Sequence, residues 1–440
     1  MTVYQCNGCN HVWDAGDEPP REPRCDHRNL PPEFWAARPV LTQIRQAAHN
    51  RLVSADSVLL AVLARVVMLT PPTVTLPAIV GSRVSLNLFT SIVDSSGGGK
   101  SAAIAVAREL LPHQRKDIAD PILPSSGEGL IEAFMGTVDE GDGKKGKRAQ
   151  VMTAGLAWVD EGQGLLAQGE RSGSTIMETI RSAWMGGDLG QHNATEERKR
   201  WLKAHKYRLC LIIGFQMSYA ASLIADGEGG TPQRFTFASA NDPAIESDVE
   251  WPGDLDWRPP PTMPMVTDIG FDGLLASEIR HRRLLRSRGE MVVDPLDTHA
   301  DLRKMKLAAA LAILDERLDV EPCDWHLAEL IDRTSCAVRS SAIEYDQAAR
   351  SIARRAATSI AVEREEAIES ASLSRALSRI TRNVARKVWR DGPMTAAQAY
   401  RVVPSRDRPK ADVDDIVALA IERNWLVEVD GELSRGAAQP

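Results

Sequence analysis

The octapeptide Asp94-Ser-Ser-Gly-Gly-Gly-Lys-Ser101 has the residue types and spacing of a phosphate cradle. Consecutive glycines at 97–99 let the backbone curl with its N–H groups turned inward toward an anion. A helix starting at the end of the loop adds the positive end of its dipole. In such a loop Lys100 reaches the β- and γ-phosphates of a nucleoside triphosphate, and the Ser101 hydroxyl ligates Mg²⁺. Ser96, Gly97, Gly98, Gly99, Lys100, Ser101 and Ala102 are therefore the candidate nucleotide contacts. The pattern G-x-x-x-x-G-K-[ST] is met except at its first position, where Asp94 stands in place of glycine. The bland alternative is a glycine-rich turn that happens to precede Lys-Ser.

Triphosphate hydrolysis also needs carboxylates, and Ala157-Trp-Val-Asp160-Glu161 supplies two at the end of an apolar run. A carboxylate there can hold the Mg²⁺ shell, the expected role of Asp160. The next one, Glu161, can polarise the attacking water. Glu128, in SSGEGL, competes with Glu161 for the base role. Gln216 ends the run LCLIIGFQ, where a polar tip can sense a γ-phosphate. Arg234, in TPQRF after a glycine-rich stretch, suits an arginine finger acting across a subunit interface. Taken singly, these last two read equally well as a strand-end glutamine and a surface arginine.

These side chains need a scaffold of alternating strands and helices. LNLFTSIV (86–93) is a β-branched run feeding the loop, and helical spacing follows at once. Further strands are expected at PILP (121–124), GLAWV (155–159), RLCLIIGF (208–215) and RFTFASA (234–240), separated by helical stretches such as STIMETIRSAWM (174–185). Such alternation predicts an α/β fold with a mostly parallel sheet. The segment 139–150 reads as an exposed loop within it. The proline-rich WPGDLDWRPPPTMP (251–264) reads as a boundary, followed by helical stretches at 277–291, 301–318, 324–371 and 372–392. The last sixty residues combine helical segments with WLVEVDGEL, two short strands around Asp430-Gly431, the parts of a winged helix-turn-helix. The expected divisions are a zinc-ribbon-like segment at 1–30, a helical lead-in at 31–80, a P-loop NTPase core at 81–250, a helical region at 265–371 and a winged helix at 372–440.

The sequence carries 53 Lys+Arg against 60 Asp+Glu, a formal net charge of −7. That balance excludes a uniformly basic nucleic-acid coat and a disordered polyelectrolyte. It hides an uneven distribution, because residues 371–410 hold ten Arg or Lys against two Asp. A second cluster, Arg280-His-Arg-Arg-Leu-Leu-Arg-Ser-Arg288, suits phosphate contacts or a solvated helix face. Asp412, Asp414 and Asp415 open the candidate recognition helix and would repel phosphates, which moves the expected DNA contact to the flanking basic surface. Six cysteines are too sparse for a disulfide scaffold and point to a reducing, cytoplasmic setting. No apolar run reaches the ~20 residues of a membrane span. Cys6, Cys9, Cys25 and His27 form a candidate Zn²⁺ set, with His11 as an alternative ligand.

Several segments together, PPEFWAARPVLTQI, PPTVTLPAIVGSRVSLNLF, SSGGGKSAA, AWVDEGQGLL, LIIGFQ, TPQRF and DWHLAELIDRTSCAVR, resemble a family of proteins of actinobacterial phages, plasmids and integrative elements. These are helicase-like P-loop ATPases, often fused to primase-polymerase domains. The resemblance spans about residues 31–390. It implies a RecA-like core, ATP and Mg²⁺ as cofactors, self-association into a hexameric ring, and a role beside other replication proteins as a DNA helicase or translocase. Lys100, Ser101, Asp160, Glu161, Gln216 and Arg234 fall on the matching motif positions. Asp94 departs from the family loop, and no primase-polymerase segment precedes it, so priming is not carried over. The alternative expectation is an ATP-switched DNA-binding initiator, loader or defence protein without unwinding activity.

Overall fold

The computed structural model describes residues 2–5, 12–15, 28–94, 97–138, 146–191, 200–225, 229–262 and 265–440. The chain is mixed α/β and divides into two compact units, Met1–Gln347 and Ala348–Pro440.

The first unit is organised by a five-stranded sheet: β1 (Phe89–Asp94), β2 (Ile118–Ile122), β3 (Ala154–Val159), β4 (Arg208–Gln216) and β5 (Phe235–Ser239), in the order β5-β1-β4-β3-β2. Every pairing is parallel. Parallel strands covered on both faces read as unbroken apolar runs, which is why RLCLIIGF is so legible. Alternate side chains of β4 serve two different cores. Cys210 and Ile212 join the helices α1 (Pro39–Asn50), α2 (Ala55–Leu69) and α3 (Lys100–Leu110) on one face, whereas Leu209, Leu211, Ile213 and Phe215 pack on the other against α4 (Ile176–Met185) and α5 (Met217–Ala225).

Helix α2 is buried along its whole length, so the helices of the 31–80 lead-in belong to the sheet's own core. Ser54 caps it by accepting from the Ser57 amide. Its one interior cation, Arg65, donates to Asp120 at 2.6 Å and to the Leu111 carbonyl at 2.7 Å, which pairs the charge inside the core and leaves its Nε without a hydrogen bond.

Three expectations are corrected. Residues 251–262 form no regular structure but are not a boundary: Leu255 is buried with its amide on the Leu110 carbonyl, and the Trp257 indole donates to the Ile313 carbonyl at 2.8 Å. Their apolar anchors strap the segment onto the first unit. Within the expected loop 139–150, Lys147–Gln150 is a strand paired antiparallel with Met135–Val138. The strand expected at 121–124 lies earlier, at Ile118–Ile122, where Ile118 aligns with Ala154 of β3.

Beyond the strap come α6 (Gly273–Ser287), α7 (Ala300–Leu314) and α8 (Pro322–Asp391), the last a single helix through both stretches expected at 324–371 and 372–392. The arginine cluster on α6 is largely used internally. Arg282 and Arg286 both pair with Asp301, at 3.1 and 3.2 Å, and Arg280 donates to the Ile79 carbonyl. Among the described residues no helix is long and apolar enough to cross a membrane.

In the second unit, the end of α8 packs Ile380, Val384 and Val388 against α9 (Ala396–Tyr400), α10 (Val413–Glu422) and a hairpin of β6 (Leu426–Val429) and β7 (Glu432–Arg435). Thr395 and Gln398 form a capping box at the start of α9. Asp430 and Gly431 both have positive φ, 50° and 77°, as a two-residue primed turn requires. Met394 adds a bridge to Leu433 at the edge of the hairpin.

Asp56, at the start of α2, is a buried carboxyl whose partner is the Leu30 amide at 2.9 Å. Burial pushes its pKa up to about 8. A carboxyl raised on folding keeps its proton in the native state, so stability is highest below the unfolded pKa and falls as pH rises toward 8. Between pH 6 and 8 the loss is roughly 2–3 kcal/mol at 1.36 kcal/mol per unit. Denaturant unfolding of the full chain at both pH values checks this: the Asp56→Asn protein is expected to show a much smaller drop in midpoint, and an equal drop would contradict the assignment.

Candidate functional site

The site lies at the carboxyl ends of the parallel strands, where open α/β sheets form their crevices. Register places Gln216 directly beside Asp94, so β1 and β4 end together, and β3 ends at Val159 beside Ile213, three residues earlier. The chain leaving β1 turns through Gly97 and Gly99, whose φ values of 84° and 78° lie in the left-handed region, and enters α3 at Lys100. Gly98 is required for a different reason. A Cβ there would fall 1.7 Å from Asp94 Oδ2, so the aspartate that departs from the consensus is tucked beneath the loop at the one residue that leaves it room.

A cavity of about 310 Å³ opens over these strand ends. Gly97, Gly98, Gly99, Lys100, Ser101 and Ala102 form one wall; Asp160, Glu161 and Gln216 form the other. Ser101 Oγ donates to Asp160 Oδ1 at 2.8 Å, joining the first turn of α3 to the residue that follows β3. The strand that leads into the loop, β1, is separated from β3 by β4, hence by about 10 Å at 4.8 Å per strand. The cavity therefore spans the gap between a basic loop and a carboxylate pair.

Sequence reasoning missed Gly214, Gly162, Gln163 and Tyr219, which also line the cavity. Gly214 sits inside β4, where a Cβ would meet the Asp160 carbonyl at 2.5 Å and the Lys100 Cδ at 3.3 Å. A glycine within an otherwise apolar strand is the signal for such close approach.

Two candidates are not brought to the cavity. Glu128 lines a separate cavity of about 230 Å³ with Thr175, Glu178, Asp188 and Arg200. Its carboxylate accepts from the Thr175 hydroxyl at 2.9 Å. Hydrogen bonding from its own backbone, then from Thr175, holds its pKa below the usual range, which makes it a weaker base. Arg234 is half-buried against its own chain: it donates to the Gly230 carbonyl, and its guanidinium lies 5.6 Å from the centre of the Trp184 ring. Burial, then the nearby Arg181, lowers its pKa.

Ser96 and the zinc candidates Cys6, Cys9, Cys25 and His27 lie outside the described residues, as does His11. Among the described residues Glu321, Cys323 and Asp324 bring metal-ligating atoms within 4.8 Å of one another. Asp324 is already engaged by Arg38 at 2.5 Å and Arg317 at 2.9 Å, so the group reads as an ion-pair cluster around one buried carboxylate, with Glu321 and Cys323 exposed beside it.

The donor set of the main cavity fits a magnesium nucleotide. Its loop has the open backbone an anion needs, and a hydroxyl and a carboxylate meet within hydrogen-bond distance where a hard cation would be held by oxygen. No protein-family model matches the chain, and no curated protein matches it.

Proposed function

We propose that this cavity binds ATP with Mg²⁺ and that the chain is a P-loop ATPase with a RecA-like core. The Ser101–Asp160 contact at 2.8 Å carries the reading, because it couples a phosphate loop to a carboxylate from a strand two places away. The loop amides and Lys100 would hold the β- and γ-phosphates, with Ser101 and Asp160 holding the metal. Bound Mg²⁺ would neutralise charge on the phosphate oxygens. Glu161, next to Asp160 and on the same wall, is positioned to orient a water and take its proton. Gln216, at the end of β4 beside Asp94, is placed to hydrogen-bond a terminal phosphate or that water.

In the same reading the chain is a DNA helicase or translocase of a mobile element, working as a ring. The family resemblance and the basic stretch 371–410 support this. The second unit, with its capped helices and primed hairpin, is read as a winged helix that meets DNA through its flanking arginines. Asp412, Asp414 and Asp415 all lie at the start of α10 and are exposed, which disfavours that helix as the reader of bases.

One observation favours the second reading, an ATP-switched initiator or loader. Arg234 is held by Gly230 and Trp184 of its own chain, so its use at a neighbour's nucleotide requires release. Strand displacement separates the two. A motor shows turnover stimulated by single-stranded DNA together with ATP-dependent unwinding of a forked duplex; a switch shows ATP-dependent assembly with no unwinding.

A further inference from the structure

Arginines also line α8 ahead of the basic stretch. In α8, Arg350, Arg354 and Arg364 precede residue 371 and are exposed. At 100° per residue they fall on the same side of the helix as Arg375, Arg379, Arg382, Arg386 and Arg390, all eight within an arc of about 80°. Between them on that arc stand small or neutral side chains, Ala357, Ala361 and Ile368 among them. Glu363, Glu366 and Glu369 point to other sides of the helix, and Glu365 borders the arc. An arginine face thus runs from 350 to 390, about 60 Å at 1.5 Å per residue, with Arg390 at its end paired to Asp391 at 2.7 Å.

We infer that this face binds the backbone of double-stranded DNA, independently of sequence, as a track about 18 base pairs long. The inference rests on the DNA-partner reading above and extends its contact from 371–410 back to Arg350. Three observations select a duplex. Single-strand binders interleave aromatic platforms with cations, but no aromatic side chain lies on the arc, and the aromatics of the second unit are turned inward. Trp425 is buried, and Trp389 donates its indole to the Trp425 carbonyl at 2.7 Å. The length of the face suits a rigid rod of phosphates better than a coiling strand. Finally, Arg379 and Arg382 are oriented by the folded unit, the former by Asp407 at 2.9 Å and the latter over the Trp425 ring at 5.6 Å, so the track has a fixed end.

The test is fluorescence anisotropy of the full chain without nucleotide, using a labelled 30-base-pair duplex and a labelled 30-nucleotide oligothymidine over a salt series. The duplex should bind about fivefold or more tightly than oligothymidine, with a steep salt dependence. The double variant Arg354→Glu, Arg364→Glu should weaken duplex binding about tenfold and flatten the salt slope by about two. Arg354→Gln with Arg364→Gln should act in the same direction but less, and an unchanged unfolding midpoint would show that both variants are folded. Oligothymidine bound equally or better, or duplex affinity unchanged in both variants, would overturn the inference. Wild-type protein binding neither DNA would instead sink the DNA-partner reading. Since no nucleotide is present, failure of the ATPase reading leaves the outcome readable.

Discussion

Replacing Glu161 with Gln is expected to leave ATP binding within about twofold of wild type while lowering turnover by about 10²–10³. General-base steps are worth that much, and the substitution keeps the shape of the side chain while removing its capacity to take a proton. Glu161 lines the cavity beside Asp160, two residues past the end of β3. The same change at Glu128 should leave turnover near wild type, because that carboxylate lies in another cavity and is held by Thr175. Paired binding and single-turnover measurements on both variants check the assignment. A Glu128→Gln protein that binds ATP without hydrolysing it, beside an active Glu161→Gln protein, would reverse it.

Lys100→Ala should lower turnover by about 10³ and weaken ATP binding by about tenfold. Lys100 begins α3 on the wall formed by the loop, and its stem passes Gly214, which offers no Cβ to block it. A charge-assisted contact to phosphate has roughly twice the strength of a neutral hydrogen bond, and it strengthens as charge moves onto the leaving phosphate. The loss should therefore be larger in turnover than in binding. Isothermal titration and steady-state kinetics on the same preparation separate the two, and weakened binding with unchanged turnover would make Lys100 a binding residue only.

Much of the first unit was legible because its strands are buried on both faces. LCLIIGF is apolar throughout, LNLFTSIV interrupts its apolar residues only with the uncharged Asn87, Thr90 and Ser91, and the glycines that follow β1 mark a backbone turn no other residue makes as easily. The order of strands was not legible. Glu128 and Glu161 occupy similar strand-to-helix positions in the sequence, yet β2 lies at the sheet edge and β3 beside the central β4, so only Glu161 reaches the cavity. The strap at 251–262 misled for a related reason. Its prolines forbid regular structure, but Leu255 and Trp257 still carry enough apolar surface to hold it in place. The run Ser370–Ser374 contains neither glycine nor proline, so nothing ends α8 there and two expected stretches are one helix. Asp94 breaks a sequence pattern without opening the loop, because Gly98 accommodates its carboxylate.

Phosphate release from ATP by the wild-type chain, measured with Mg²⁺, with a chelator, and with Lys100→Ala in parallel, bears most directly on the central claim. Sustained release that needs Mg²⁺ and falls about a thousandfold in the variant is the expected result. No release from folded wild-type protein with or without DNA, or release undiminished by the variant, would contradict an ATPase at this cavity.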